Sequence, residues 1–189
     1  MLQGVRHRNV RYNCRVIFTF KKIYLIRPKK SLANDGLYRE ARHFTAWSKE
    51  RQTETYYLEE TIQKVTGQRT VRIGDAVIST PDTAIGYETC EELFTPLNPS
   101  TYMGLNGVEI ILNSSASHAE LRKLRTRLDL ISNSTRKLGG IYVYANATGI
   151  DGEARMMFDG SSMVIGNGKV LAQGSQFSLK YVRYCSQEV

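Results

Sequence analysis

The stretch "GYETCEELFTP", residues 86–96, decides the fold prediction because one type of element gives way to another within it. An apolar segment that predicts a strand ends on Cys90, and Pro96 disfavours continuation of the short helix predicted after it. A strand, a nucleophile and a helix in this order form an elbow that presents the side chain in front of helix N–H groups. Glu91 and Glu92 would by themselves oppose a thiolate. In the first turn of a helix, however, such acids interact favourably with the helix dipole, by about 0.3–1 kcal/mol.

Strands are predicted on both sides of this elbow, from runs of β-branched and aromatic residues. Before the elbow they are "RYNCRVIFTF" (11–20), "KIYLIR" (22–27) and "GDAVIST" (74–80). After it they are "VEIILNSS" (108–115), "IYVYAN" (141–146), and a hairpin of "SSMVI" and "KVLAQGS" joined by the turn "GNG" (166–168). A polar loop over 28–55 separates the second strand from the third, and loops of this length are usually functional.

The longest helix is predicted over 117–139. Its apolar stripe, at spacings of three and four, consists of Leu121, Leu124, Leu128 and Ile131. Ser117 and Glu120 form a candidate capping box at its start, and Gly139 is a candidate for its end. A shorter helix is predicted over 98–107, with Pro99 at its first position. Helices interspersed with strands over one core predict an α/β fold in a single domain, residues 1–189.

Composition and charge narrow the function classes. No apolar run approaches the roughly 20 residues that a membrane span requires. Three widely spaced cysteines, Cys14, Cys90 and Cys185, favour a reducing, cytoplasmic setting over a disulfide framework. The net charge of +8 suggests nucleic-acid binding, but nine of the 26 Lys and Arg lie in residues 1–34, where there is no acid. The rest of the chain holds 17 basic and 18 acidic residues, so the excess is confined to one end and nucleic-acid binding is the less favoured interpretation.

The motifs of several common sites are missing from the sequence. The three histidines, His7, His43 and His118, lie far apart and at no ligand spacing from a cysteine, so no metal site is expected. Neither a phosphate-binding glycine loop nor a "GxSxG" elbow is present. Cys90 remains as a candidate nucleophile, but a thiol with a pKa near ~8.5 is only partly ionised at neutral pH and needs a cation beside it. Lys29, in "RPKK" at the end of a predicted strand, is the candidate for that cation, and an inert cysteine is the alternative.

Several segments of the chain together resemble a known family. They are "NVRYNCRVI", "LIRPKKSLANDGLYREARHFTAW", "IQKVTGQRTVRIGDAVIST", "DTAIGYETCEELFTP", "MGLNGVEIILNSSASHAELRK", "GGIYVYANATGIDG" and "FDGSSMVIGNGKVLAQGSQFSL". In this order they resemble the glutamine-hydrolysing domain of eukaryotic glutamine-dependent NAD synthetases, within the carbon–nitrogen hydrolase (nitrilase) superfamily. The resemblance extends from about residue 9 to residue 179.

The resemblance implies a four-layer α-β-β-α sandwich and a Glu–Lys–Cys triad that forms a thioester with glutamine. Cys90 matches the nucleophile and Lys29 matches the triad lysine, which would stabilise the thiolate and the oxyanion together with the backbone N–H after Cys90. The positions that match the glutamine pocket are Tyr38, Glu91, Ser115, Ser117 and Arg122. Released ammonia would serve the ATP-dependent amidation of deamido-NAD by a synthetase domain.

Departures from the family pattern set the remaining expectations. The triad glutamate precedes "NVRYNCR" in the family, in a segment that this sequence lacks, and Glu40 matches a different family position. The synthetase domain, to which ATP and Mg²⁺ would belong, also has no counterpart here, so no cofactor is expected in this chain. We therefore expect a sandwich that is incomplete at its N-terminal side, with one exposed sheet edge, and a chain that is nearly inactive as a glutaminase on its own. Homo-oligomers or association with a synthetase domain are the expected partnerships, and the alternative function is a catalytically inactive nitrilase-like module that acts only through protein association.

Overall fold

The computed structural model describes residues 2–151 and 153–180, so the tail that contains Cys185 lies outside the described part of the chain. The chain divides into two compact units, residues 1–78 and 79–189. Each unit has its own β-sheet with helices, which is the predicted α/β class. The single-domain assignment stays a prediction.

The first unit contains a five-stranded sheet in the order β1-β2-β3-β5-β4. Its elements are β1 (Leu2–His7), β2 (Val10–Phe18), β3 (Ile23–Pro28), a 3-10 turn (Glu40–Arg42), β4 (Thr53–Tyr57), α1 (Glu60–Thr66) and β5 (Thr70–Gly74). Only the β3–β5 pair is parallel; the other neighbours are antiparallel. The buried side chains of its core are Val5, Cys14, Ile26, Leu58, Val71 and Ile73.

Strand β1 was not predicted from the sequence, whereas the two strands that follow it were. Arg8 and Asn9, both at positive φ, make the tight turn from β1 into β2. Asn favours that conformation but Arg does not, so the turn signal was weak. The connection from β2 to β3 lacks typical turn residues and closes through a bond from Thr19 N to Lys22 O of 2.8 Å.

An apolar groove of about 1090 Å³ lies within the first unit, between its sheet and α1. Its lining includes Val16, Phe18, Ile23, Ile26 and Val65. Phe18 is 55% and Val65 80% exposed, although both side chains are apolar. Side chains from both the sheet and α1 in this groove are therefore in contact with solvent.

The second unit contains a six-stranded sheet in the order β13-β12-β9-β8-β7-β6 and a separate two-stranded sheet, β10-β11. The strands are β6 (Ile78–Ser79), β7 (Ala84–Thr89), β8 (Ile110–Ser115), β9 (Ile141–Asn146), β10 (Thr148–Asp151), β11 (Met156–Asp159), β12 (Met163–Gly166) and β13 (Lys169–Gln173). The helices are a 3-10 helix (Cys90–Phe94), α2 (Pro99–Leu105) and α3 (Lys123–Leu138). These elements confirm the predicted strands after the elbow and the predicted hairpin, whose turn residues Asn167 and Gly168 both have positive φ.

The three central strands β7, β8 and β9 are parallel. Their carboxyl ends therefore lie at the same edge of the sheet, where α/β proteins usually place functional groups. Cys90 follows β7, Ser115 ends β8 and Asn146 ends β9. The parallel arrangement thus gathers polar residues from distant parts of the sequence at one edge.

The predicted start of the long helix is wrong. Helix α3 begins at Lys123, six residues later than predicted, and the residue before it is Arg122 in the left-handed conformation. Ser117 is not a helix cap, and Leu121 is 99% exposed instead of facing the core. The capping-box pattern was misleading because the backbone of Ser117 bonds to Asn146 instead. Gly139 ends the helix as predicted. Among the described residues, no helix is long and apolar enough to cross a membrane.

Candidate active site

Cys90 lies at the elbow that the sequence predicts. Strand β7 ends at Thr89, and the 3-10 helix starts at Cys90 itself. Cys90 has a φ of 48°, in the left-handed region that a non-glycine residue occupies only under constraint. Its backbone N donates a 3.0 Å hydrogen bond to Oδ1 of Asn113, and the residue is half-buried. The elbow therefore holds the thiol at the carboxyl end of a central strand.

The two glutamates after Cys90 have different roles in this elbow. The carboxylate of Glu92 is fully buried and accepts a 2.8 Å hydrogen bond from the backbone N of Thr89, while the Thr89 side chain bonds in return to the backbone of Glu92. This reciprocal pair is a capping box. Glu91 occupies the first turn and is half-buried. Both acids lie at the helix start as predicted, and the Glu92 carboxylate is engaged by the backbone.

Ser115, a predicted pocket residue, ends β8 close to a buried tyrosine of β9. The hydroxyl of Tyr144 donates to Oγ of Ser115 over 2.9 Å. The pKa of Tyr144 is raised, chiefly by burial, and the nearby Cys90 sulfur contributes to the increase. The guanidinium of Arg127 acts in the opposite direction, from 5.9 Å above the Tyr144 ring. Tyr144 thus links the Ser115 end of the sheet to the surroundings of Cys90.

Ser117, another predicted pocket residue, follows β8 in a segment held by Asn146. Its backbone N donates to Oδ1 of Asn146 over 2.8 Å, and Nδ2 of Asn146 donates back to the Ser117 carbonyl over 3.1 Å. The hydroxyl of Ser117 is buried and has no hydrogen-bond partner among the described residues. Arg122, the last predicted pocket residue in this unit, is exposed at the start of α3.

Arg127 and Asp159 form a buried ion pair that sequence reasoning missed. Both side chains are almost fully inaccessible, and Asp159 also accepts hydrogen bonds from Gln176 and from Asn146. The signal was present in the sequence, because Arg127 occurs three residues after Leu124 and four before Ile131, on the apolar stripe. A charged residue that is buried on such a stripe requires a partner of opposite charge.

Lys29 lies in the first unit, just after β3, and is only 3% exposed. Its Nζ donates to Oε2 of Glu40 over 2.5 Å. Glu40 also accepts from the backbone N of Ala33 over 2.7 Å and from Nδ2 of Asn13 over 2.6 Å. Both oxygens of the Glu40 carboxylate therefore accept hydrogen bonds, and Glu40 is the ion-pair partner of Lys29.

Tyr38 lies in the same loop of the first unit, half-buried, after a turn closed by a 2.9 Å bond from its backbone N to Asp35 O. The structure thus places Lys29 and Tyr38 in the first unit, and the other predicted site residues in the second. Across the described residues, no group of three or more His, Cys, Asp or Glu side chains could hold a metal ion.

A cysteine presented by a strand-to-helix elbow of a parallel sheet is typical of α/β enzymes that use a thiol nucleophile. The chain belongs to the carbon-nitrogen hydrolase family, whose model matches residues 2–184. The predicted membership of the carbon–nitrogen hydrolase superfamily is thereby confirmed.

The chain is similar in sequence to curated glutamine-dependent NAD(+) synthetases. The chain is 60% identical over 175 residues to the human glutamine-dependent NAD(+) synthetase, covering 93% of this chain and 25% of the human protein. It is 59% identical over 175 residues to the Dictyostelium discoideum glutamine-dependent NAD(+) synthetase, with 93% and 24% covered. The chain therefore spans about a quarter of the length of these relatives.

A solved structure supports the same fold. A glutamine-dependent NAD(+) synthetase from Cytophaga hutchinsonii superposes with a TM-score of 0.80 at 28% identity, covering 96% of this chain and 28% of that one. The predicted α/β fold of the nitrilase type is confirmed.

Proposed function

We propose that this chain is the glutamine-hydrolysing part of a glutamine-dependent NAD synthetase, and that it releases ammonia from the carboxamide of glutamine. The observation that carries the proposal is Cys90, held at the elbow in a chain that is 59–60% identical to proteins with that name. The family supplies the reaction class, hydrolysis of a carbon–nitrogen bond.

The proposed chemistry begins with attack of the Cys90 sulfur on the carboxamide carbon of glutamine. A C–S bond forms, the C–N bond breaks, and the thiol proton leaves with the nitrogen as ammonia. Water then attacks the thioester, which releases glutamate and restores the thiol. The net reaction consumes one water and one glutamine for each ammonia and glutamate.

Lys29 is proposed as the cation that favours the thiolate and the oxyanion. Its burial and its contact with Glu40 Oε2 support this role, because a lysine that is held in one position is pre-organised for electrostatic stabilisation. The backbone N–H after Cys90 is proposed as the second donor to the oxyanion.

The glutamine α-amino and carboxylate groups are proposed to bind near Tyr38, Glu91, Ser115, Ser117 and Arg122. Ser117 has the strongest support, since its buried hydroxyl has no hydrogen-bond partner among the residues that the structure describes. Buried hydroxyls are normally bonded, so a ligand group or an ordered water is expected there.

The ammonia is proposed to serve the amidation of deamido-NAD by a synthetase domain, which would use ATP and Mg²⁺. Association with such a domain, or with further copies of the chain, belongs to the same proposal, as does a cytoplasmic location. The relatives' length supports the first association, because three quarters of each relative lies beyond the region matched here.

The experiment is covalent labelling of the 189-residue chain with diazo-oxo-norleucine, an electrophile that mimics glutamine. Intact-mass and peptide analysis is expected to find one adduct, at Cys90, and glutamine is expected to slow its formation. Absence of labelling would favour the inactive-module alternative. Labelling that persists in Cys90→Ala would show that the site is elsewhere.

Glutamate release provides the second measurement. We expect slow but measurable turnover by the chain and none by Cys90→Ala, since the thioester cannot form without the sulfur. Release of glutamate that survives Cys90→Ala would remove Cys90 from the mechanism.

A further inference from the structure

The backbone of Cys90 needs support from outside the elbow. A non-glycine residue in the left-handed region costs on the order of 1–3 kcal/mol and persists where surrounding contacts hold it. The capping box acts one residue before and two after Cys90. The Cys90 backbone N itself is held by Asn113, from the neighbouring strand.

A chain of hydrogen bonds continues from Asn113 into the sheet. Nδ2 of Asn113 donates to the hydroxyl of Tyr142 over 2.8 Å. That hydroxyl lies 2.5 Å from Oε2 of Glu88, and Oε1 of Glu88 accepts from the backbone N of Ser100 over 2.5 Å. Four links thus connect the start of α2 to the nucleophile's own backbone.

The direction of every bond in this chain follows from its two ends. The backbone N–H groups of Cys90 and Ser100 can only donate. The oxygen of the Asn113 amide must therefore face Cys90, and its NH₂ group must face Tyr142. The Tyr142 hydroxyl accepts that bond and donates its own proton onward, so Glu88 has to accept on both oxygens. The carboxylate form of Glu88 meets this requirement with no proton of its own to place.

The side chains that form these hydrogen bonds are isolated from solvent. Glu88 and Tyr142 are 0% exposed and Asn113 is 1% exposed. Glu88 pairs in register with Asn113 across β7 and β8, and Tyr142 extends from β9 beside them. Burial raises the pKa of both Glu88 and Tyr142. A carboxylate in a parallel sheet, where apolar residues are usual, has a cost that these hydrogen bonds offset.

We propose that Glu88 is a positioning residue for the Cys90 nucleophile: its carboxylate orients Tyr142 and Asn113, and these hold the backbone of Cys90 in its left-handed conformation. Glu88 touches neither the thiol nor the proposed substrate and acts only through its two partners. The inference rests on the proposed function for its effect on reactivity, but its effect on the backbone can be measured separately.

Glu88→Gln is the informative substitution because it keeps the size of the side chain and replaces one hydrogen-bond acceptor by a donor. Its carbonyl oxygen would face Ser100 N, so its NH₂ group would face the Tyr142 hydroxyl, which already accepts from Asn113. The Tyr142 proton then has no acceptor, and a flip of the Asn113 amide would place two donors against each other at Cys90. Tyr142→Phe, by contrast, removes the link altogether.

The experiment measures the rate of Cys90 labelling by diazo-oxo-norleucine in the 189-residue chain, as a function of reagent concentration. Glu88→Gln is expected to lower the maximal labelling rate about tenfold. This factor corresponds to the loss of the stabilisation that one ordinary hydrogen bond provides. The half-saturating concentration is expected to remain unchanged, because Glu88 does not contact the reagent. In a Tyr142→Phe background, Glu88→Gln is expected to have little further effect, since the two residues act in series.

A control separates positioning from loss of stability. Thr135→Val removes a buried hydroxyl of α3 that bonds to Ile131 and Gly168 and lies outside the chain of bonds. It is expected to lower the unfolding midpoint while the labelling rate stays at the wild-type value. Equal labelling of wild type and Glu88→Gln, or additive effects of Glu88→Gln and Tyr142→Phe, would overturn the inference.

Hydrogen exchange at the Cys90 amide keeps the test independent of activity. Faster exchange at this amide in Glu88→Gln and Tyr142→Phe, but not in Thr135→Val, is expected if the bond to Asn113 is weakened. If wild type is not labelled at all, the proposed function fails. The inference then stands or falls on whether this exchange rate increases about tenfold in Glu88→Gln.

Discussion

Nζ of Lys29 lies 2.5 Å from Oε2 of Glu40, and the lysine side chain is only 3% exposed. The Glu40 side chain is 12% exposed, and its carboxylate has two further donors, Asn13 and the backbone of Ala33. The Glu40 carboxylate thus gives the buried Lys29 side chain a partner of opposite charge.

Glu40→Ala is expected to destabilise the first unit strongly. It leaves a buried ammonium group without its partner, a change that typically costs about 3–5 kcal/mol. Urea unfolding followed by circular dichroism measures the effect. The matched control is Glu50→Ala, whose exposed carboxylate lies 3.8 Å from Lys30 and whose loss is expected to change the free energy of unfolding by under about 0.5 kcal/mol. Similar midpoints for both variants would contradict the assignment.

Glu54 is expected to make stability depend on pH at the acidic end. Hydrogen bonds from Lys49 and His7 lower the pKa of Glu54 to about 2 in the folded chain. In the unfolded chain a glutamate has a pKa of about 4.3. The carboxylate therefore stabilises the fold above pH ~4.3, and this contribution is lost as the pH falls toward the folded-state value.

Thermal unfolding of wild type and Glu54→Gln between pH 6 and pH 2 tests this dependence. The two melting temperatures are expected to differ at pH 6 and to converge at the acidic end. Glu60→Gln serves as the control, because the Glu60 side chain is 80% exposed in its pair with Lys64, and it is expected to show no such convergence. A Glu54→Gln difference that is constant with pH would be inconsistent with the ion-pair geometry.

The described cysteines are expected to differ in reactivity. Burial raises the pKa of the Cys14 thiol to about 12, and its side chain is completely inaccessible. Cys90 is half-buried at the elbow. In a Cys185→Ser background at pH 8, iodoacetamide is expected to alkylate Cys90 and to leave Cys14 unmodified until urea is added. Peptide mass analysis identifies the modified cysteine, and alkylation of native Cys14 would show that the first unit opens readily.

Two adjacent glycines after α3 are expected to differ in their tolerance of a methyl group. Gly139 and Gly140 both have a φ of +77°. A Cβ at Gly140 would lie 2.3 Å from the Glu109 carbonyl, whereas at Gly139 the nearest atom is 3.8 Å away. Gly139→Ala should cost only backbone strain, about 1–3 kcal/mol, and Gly140→Ala should cost the clash in addition. Equal melting temperatures for the two variants would argue against this close approach of β9 to Glu109.

The elbow and the strands around it were predictable because local signals agreed with the tertiary structure. Cys90 follows a strand and precedes acids and Pro96, and each of these features acts within a few residues. The start of α3 was not predictable in this way. Ser117 carries a capping-box pattern, but a long-range bond to Asn146 outweighs it.

Long-range polar contacts were also beyond the sequence patterns. Glu88 is separated from Tyr142 by 54 positions and Arg127 from Asp159 by 32. The residues next to Glu88 and Arg127 in the sequence do not identify their partners. A charged residue on an apolar stripe or strand indicates only that a partner exists. Lys29 was identified by its motif, while its pairing with Glu40 became evident only from the folded loop.

The separation of Glu88 and Tyr142 has a consequence for biosynthesis. Ribosomes add about 5–20 residues per second, so Asn146 at the end of β9 is added roughly 3–11 s after Thr89 at the end of β7. During that interval the bond from Tyr142 to Glu88 cannot exist, and Asn113 lacks the partner that orients its amide. In a nascent chain the hydrogen bonds that support the backbone of Cys90 are therefore complete only after a strand synthesised later has joined the sheet.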